Sequence, residues 1–224
     1  MKSFLPFFLS CLLLACASEK QNEPQLQSGR YRMELQLTDA KTLPFEFDLQ
    51  EAAGQWQVDI LNASEVIEVE DVRFANDSLW IRMPVFDSEF QLVLQGDGQL
   101  LGSFFNYSRG LDYQIPARAK KAEVPRFSTT AADFAIEGKW EAVFSDGTED
   151  EYPAVGVFTS EADYIAGTFL TETGDYRFLE GSVSGDSLKL SCFDGAHAFL
   201  FEAKLTGDTL RGTFWSGNHW EEPF

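Results

Sequence analysis

Residues 185–188 read Gly-Asp-Ser-Leu, and a D-x-x-H spacing follows at Asp194–His197. A Ser, an Asp and a His in that order can form a hydrolase triad. Ser187 would attack an ester carbonyl, His197 would take its proton and Asp194 would orient the imidazole. The same stretch holds Cys192, so a Cys192–His197 thiolate nucleophile, with Asp194 beside it, is a second chemistry the residue types allow. Tyr107, Arg109 and Trp215 form a third set. Aromatics with a lone Arg at a barrel mouth can hold a small ligand. His219 with Glu221 and Glu222 has ligand types for a metal, but only one His among them, and two His in the whole chain make a poor basis for a zinc centre. No metal and no cofactor is expected. Each set depends on the elements that carry it.

Those elements are strands. Runs such as Arg32–Leu37, Leu188–Cys192 and Phe199–Leu205 alternate apolar and polar residues with period two. Gly and Pro break the chain every ten residues or so, in the manner of a hairpin meander. Beyond the first fifteen residues no helical period persists, and only Ser128–Phe134 suggests one helical turn. The expected class is all-β: antiparallel meander strands, barrel-like or sandwich. The chain also repeats. Residues 76–106 align with 185–215, pairing Asp77 with Asp186, Phe86-Asp87 with Phe193-Asp194 and Gly102 with Gly212. Gly29-Arg30-Tyr31 aligns with Gly138-Lys139-Trp140. Two related units follow, 29–116 and 133–224, joined by a linker over 117–132. One shared core and two separate cores are both open.

The repeat bears on Ser187. Gly-Asp-Ser-Leu recurs as Asn76-Asp-Ser-Leu79 and as Gly207-Asp-Thr-Leu210. A nucleophile is not repeated in this way, whereas a hairpin turn is. Gly or Asn supplies positive φ and Asp accepts hydrogen bonds from the turn. Ser187–Phe193 then forms one strand, which separates Ser187 from His197 by ~20 Å at 3.3 Å per residue. Cys192 continues the Leu188 and Leu190 face and reads as a small buried hydrophobe, with Asp194-Gly195 as a turn.

The first residues place the protein. Lys2 precedes an apolar run from Phe4 to Ala15 that ends Leu13-Leu14-Ala15-Cys16. This is the pattern of a bacterial lipoprotein signal: residues 1–15 are cleaved and Cys16 is lipidated. Residues 16–28 are polar and read as a tether from lipid to fold. The expected location is the bacterial cell envelope, with the membrane engaged through the lipid anchor. Net charge is −19, and cleavage removes one further positive charge with Lys2. Such a surface excludes nucleic acid as a partner, since phosphate binding needs clustered Lys and Arg. The acidic run Asp146–Glu151 lacks the spacing of a calcium loop and reads as solvated. Of three cysteines, Cys11 leaves with the signal and Cys16 takes lipid. Cys192 is left without an intrachain partner.

Several segments carry a resemblance. LPFEFDL (43–49), IEVEDVRF (67–74), MPVFDSEF (83–90), SRGLDYQIP (108–116), GKWEAVF (138–144), GTFLTETGDYRFLEG (167–181), LSCFDGAHAFLF (190–201) and SGNHWEEP (216–223) resemble the β-rich N-terminal region of TlpA-like envelope lipoproteins. In that family a thioredoxin-fold disulfide reductase or peroxiredoxin-like domain follows. Its W-C-x-x-C motif lies downstream of the HWEEP segment, so no catalytic residue carries over onto residues 1–224. The resemblance implies a non-catalytic accessory or docking module for thiol–disulfide proteins, with a thioredoxin-fold domain as partner. The rival reading that it implies is the front half of a disulfide reductase. A weaker similarity, in the Gly-Lys-Trp start and the Gly-Asp-Tyr-Arg hairpin of the second unit, is to avidin- and lipocalin-type barrels, which bind small ligands.

Overall fold

The computed structural model describes residues 25–122, 125–127, 130–162 and 164–224. The signal segment, Cys16 and the tether to residue 24 lie outside these residues, as do Ser128 and Thr129. The described part of Ser128–Phe134 forms no helical turn. Ala132 instead makes a parallel bridge to Gly185.

Among the described residues, every regular element but one short 3-10 turn is a strand. The first unit comprises β1 (Gly29–Thr38), β2 (Lys41–Ala52), β3 (Gln55–Asn62), β4 (Glu65–Ala75), β5 (Ser78–Arg82), β6 (Ser88–Leu94), β7 (Leu100–Asn106) and β8 (Gln114–Lys121), with the 3-10 turn at Tyr107–Arg109. These eight strands close into a barrel in chain order. Closure is the pairing of β8 with β1, from Leu35↔Ala117 to Tyr31↔Lys121. The linker therefore begins later than the sequence pattern suggests. Ala117 and Ala119 point into the barrel and Arg118 binds Glu34, because the last strand must span both neighbouring edges to close the sheet. The tether also ends earlier than residue 28: Leu26 is buried, and the Tyr31 hydroxyl donates to the Gln27 carbonyl at 2.9 Å.

The second unit comprises β9 (Gly138–Phe144), β10 (Tyr152–Glu161), β11 (Tyr164–Thr171), β12 (Gly174–Asp175), β13 (Leu179–Ser184), β14 (Ser187–Phe193), β15 (Ala198–Thr206), β16 (Thr209–Ser216) and β17 (Trp220–Pro223). With the two-residue β12 off the main path, eight strands again follow one another. This sheet is nearly closed. At one end Ser145 N–H donates to the Pro223 carbonyl at 2.8 Å, while no ladder joins β17 to β9.

The repeat is real at the backbone. β5–β6–β7 correspond to β14–β15–β16, and the aligned glycines face the same obstacle. A methyl group on Gly102 would lie 1.9 Å from the Gln91 carbonyl oxygen, and one on Gly212 would lie 2.1 Å from that of Glu202. Only a residue without Cβ lets the neighbouring strand approach so closely. Alternation fills both interiors. Met33, Leu35, Phe45, Phe47 and Phe90 pack in the first. In the second, Phe144 stacks on Tyr152 at 5.1 Å and Phe201 on Phe214 at 4.5 Å. There are two cores, but the first is not made by the first unit alone. Phe193, Ala198, Leu200 and Trp215 of the second unit belong to it.

Candidate functional site

In an antiparallel meander, alternate connections lie at the same end of the barrel. The β1–β2, β3–β4, β5–β6 and β7–β8 connections therefore rim one mouth of the first unit, and the outer face of β14–β15–β16 covers that mouth. At the end of β14 the alternation divides two neighbours between two cores. Cys192 points into the second core. Phe193 points into the first, where its ring stacks on Phe45 at 4.6 Å and meets Phe104 edge-on at 5.0 Å. Asn62, at the β3–β4 turn, holds the strand end as a paired strand would. Its amide donates to the Phe193 carbonyl at 2.8 Å and its oxygen accepts from the Phe193 N–H at 3.1 Å.

Asp194–His197 is the turn that seats on the same mouth. The Asp194 carboxylate accepts from the backbone N–H of Ala196 (2.9 Å) and of His197 (2.7 Å), and from His197 Nδ1 (2.9 Å). Arg177 Nε lies 3.4 Å from it, and the same guanidinium binds Glu65 of the first unit at 2.6 Å. Burial pushes the carboxyl up, but these bonds and the His197 charge outweigh it and hold Asp194 below the usual carboxylate range. The rest of the turn docks on the first unit. Ser88 Oγ donates to the Gly195 carbonyl, Asn106 donates to that of Ala196 at 3.3 Å, and Phe86 meets His197 edge-on at 6.1 Å.

The Asp194 and His197 pair thus forms, as a joint between units. Ser187 lies at the far end of β14, its hydroxyl on Asp186 at 2.7 Å, so the triad is not assembled. Gly185 has φ of +56° and Ser184 pairs with Ser187, which makes Gly185-Asp186 the turn of a hairpin. Burial and the nearby Asp194 charge push the Cys192 thiol well above its usual range, and the side chain is fully enclosed.

The other sets disperse. The Tyr107 hydroxyl donates to Glu89 at 2.7 Å and its ring stacks on Phe105. Arg109 lies over Tyr113, 5.7 Å from the ring centre. Trp215 is buried in the joint, donates to Glu221 at 2.7 Å and carries Lys41 over its ring. Tyr107, Arg109 and Trp215 share no partner. Glu221 and Glu222 diverge because neighbours on a strand face opposite ways. Glu222 turns inward to accept from Ser145 Oγ at 2.5 Å and from Tyr152 at 2.8 Å. His219 Nδ1 faces the Tyr113 hydroxyl at 3.1 Å. Among the described residues no group of three or more His, Cys, Asp or Glu side chains could hold a metal ion.

Two features carry no sequence motif, one in the joint and one outside it. Arg126, in the linker, is buried among both units. It donates to Glu46 (2.6 Å), to the Leu61 carbonyl (2.8 Å) and to the Ser191 carbonyl (3.3 Å). The second feature lies in the second unit, between the starts of β9 and β16. A cleft of about 290 Å³ opens there over Phe158, Phe169 and Leu188, with Glu141, Asp146 and Asp208 among its lining residues.

Asp194 sets a pH dependence. Its folded pKa is depressed, so its stabilisation is present above the ordinary carboxylate value of about 4 and is lost as pH falls through the folded value. Asp194→Asn should cost roughly 2 kcal/mol at pH 7, the scale of hydrogen bonds to a charged group. Wild type and variant should converge in chemical-denaturation stability as pH is lowered below 4. Parallel curves across that range would remove Asp194 from the joint.

No protein-family model and no curated protein matches the chain. Among solved structures it is similar to a protein of unknown function of the DUF3598 family from Nostoc punctiforme. The identity is 13%, the alignment covers 91% of this chain and 94% of that one, and the TM-score is 0.29.

Proposed function

We propose that this chain is a lipid-anchored, non-catalytic docking module of the bacterial cell envelope, serving thiol–disulfide proteins of the TlpA-like kind. The observation that carries the reading is the placement of Cys192. The thiolate is the reactive form of cysteine, and Cys192 is enclosed in an aromatic core that disfavours ionisation. A lone enclosed thiol cannot cycle between dithiol and disulfide, so electrons would be exchanged by the partner. The Asp194–His197 pair orders a turn, and Ser187 stands apart from it. The Leu-Leu-Ala-Cys16 pattern supports anchoring, and several acyl chains on one residue make anchoring firm.

Two measurements test this. Cys16→Ser should move the full chain from the membrane fraction to the soluble fraction and remove its acyl mass. Retention of both would refute the anchor. A thiol reagent should leave Cys192 unlabelled in the native full chain and label it fully in denaturant, with insulin-disulfide reduction at background. Rapid native labelling together with insulin turnover would refute the non-catalytic role.

A further inference from the structure

The outer face of the repeated hairpins carries a groove in each unit. One of about 240 Å³ lies over Gly102 on β5–β7, and one of about 360 Å³ lies over Gly212 on β14–β16. Strand register makes the two equivalent. Ser78, Val93 and Leu101 form one cross-strand row, and Ser187, Lys204 and Arg211 form its counterpart. The next row is Trp80, Gln91 and Ser103 in the first unit and Lys189, Glu202 and Thr213 in the second. The fold therefore accepts uncharged residues at three places where the second unit has Lys189, Lys204 and Arg211. The first unit supplies a fourth cation, since Lys41 at the start of β2 reaches across the joint to line the same groove. On a chain whose net charge is −19, this groove gathers four cations and, among the described residues, one acid, Glu202.

The acids do not balance these cations. Lys41 and Lys189 share the Glu202 carboxylate, at 2.5 and 3.2 Å. Burial pushes that carboxyl up, but the two ammoniums outweigh it and hold Glu202 below its usual range. Lys204 lies 3.6 Å from Asp186, and Arg211 lies 3.7 Å from Asp146, with all four side chains more than half exposed. Exposed pairs of that kind contribute little. Lys204 and Arg211 also stand directly opposite each other on neighbouring strands, where like charges repel. An anion between them removes that repulsion.

We propose that the groove over Gly212 binds a phosphate ester, with Lys204 and Arg211 on the phosphate and the Ser187 and Thr213 hydroxyls donating to it. Phosphate suits this set better than carboxylate does. It carries up to about two charges and three strong acceptor oxygens, against two facing cations and two hydroxyls. The guanidinium fork of Arg211 matches a pair of those oxygens. Ser187 now donates to Asp186 at 2.7 Å and exchanges that bond for the ligand. Lys41 and Lys189 neutralise Glu202, which would otherwise repel it. The groove is larger than a bare phosphate, and the space beside Trp215 takes the organic part of the ester. A lipid headgroup and a soluble phosphate ester share this chemistry. Such a site goes beyond the docking role and needs neither the anchor nor a redox partner.

The experiment is thermal melting of the full chain in sodium phosphate, against sodium chloride and sodium acetate at equal ionic strength. With a dissociation constant of about 1 mM, about 20 mM phosphate should raise the melting temperature by roughly 4–7 °C over both controls. Lys204→Val combined with Arg211→Leu gives the second groove the residues of the first. That variant should fold as stably as wild type in chloride and lose the rise. Lys204→Gln alone should show a smaller rise, and it decides the matter if the double variant does not fold. Calorimetric titration with glycerol 3-phosphate, and with dihexanoyl phosphatidic acid below its micelle concentration, then separates the two sources. Binding of the lipid tighter by about tenfold or more assigns a headgroup, and similar or weaker binding assigns a soluble ester. No rise in phosphate, an equal rise in acetate, or a rise undiminished in the Lys204 variants would overturn the site. Membrane retention and thiol protection are unaffected by any of these results.

Discussion

Replacing Phe193 by Ala should lower stability by about 3–5 kcal/mol, the range for deleting a fully enclosed aromatic ring. The ring sits in the first barrel's core and touches Phe45, Phe90 and Phe104, with centroids between 4.6 and 5.3 Å away. Its backbone belongs to the other unit, held by Asn62. The loss therefore falls on both units: a cavity opens in the first, and the second loses its anchor there. For a chain of this length the melting temperature should fall by roughly 10 °C. Phe193→Leu should recover most of the loss by refilling the space. A change below about 1 kcal/mol in Phe193→Ala would mean that the ring does not plug the barrel.

Arg126→Ala should cost a similar amount, about 3–5 kcal/mol, because it strands a buried charge. Glu46 would lose its ion pair at 2.6 Å, and the carbonyls of Leu61 and Ser191 would lose their donor. The penalty lies in the unpaired acid rather than in the missing arginine. Arg126→Met combined with Glu46→Gln should therefore be less damaging than Arg126→Ala alone. Urea unfolding of the three variants decides it. If the double variant is the least stable, the attraction itself, and not the stranded charge, dominates.

The all-β class and the repeat were legible in the sequence, because period-two alternation and paired turns are local signals. β14 runs Ser187–Phe193, as its alternation predicts, and Gly102 and Gly212 meet the same backbone obstacle. Cys192 as a buried hydrophobe was legible for the same reason. The destination of Phe193 was not. Its repeat partner Phe86 is only half-buried and lies against His197, so alignment made the two look alike while the assembly gave them different places. The linker boundary was misread because Ala117-Arg118-Ala119-Lys120 has too little apolar character to look like a strand. In a barrel, small residues suffice where neighbouring side chains fill the interior. Arg126 could not be found by pattern, since its partners Glu46, Leu61 and Ser191 come from distant parts of the chain.

The plug also imposes an order of events on synthesis. Asn62 and Phe193 are separated by 131 positions, yet the first barrel's mouth is sealed only when they meet. A ribosome that has finished all eight strands of the first unit has still not made the residue that stoppers it. The nascent barrel then presents Phe45, Phe90 and Phe104 at an open end while β9–β13 are translated. Contacts of such long range are slow to form and leave apolar surface exposed in the interval. A chain interrupted before β14 should therefore be cleared or aggregate, rather than persist as a free first domain.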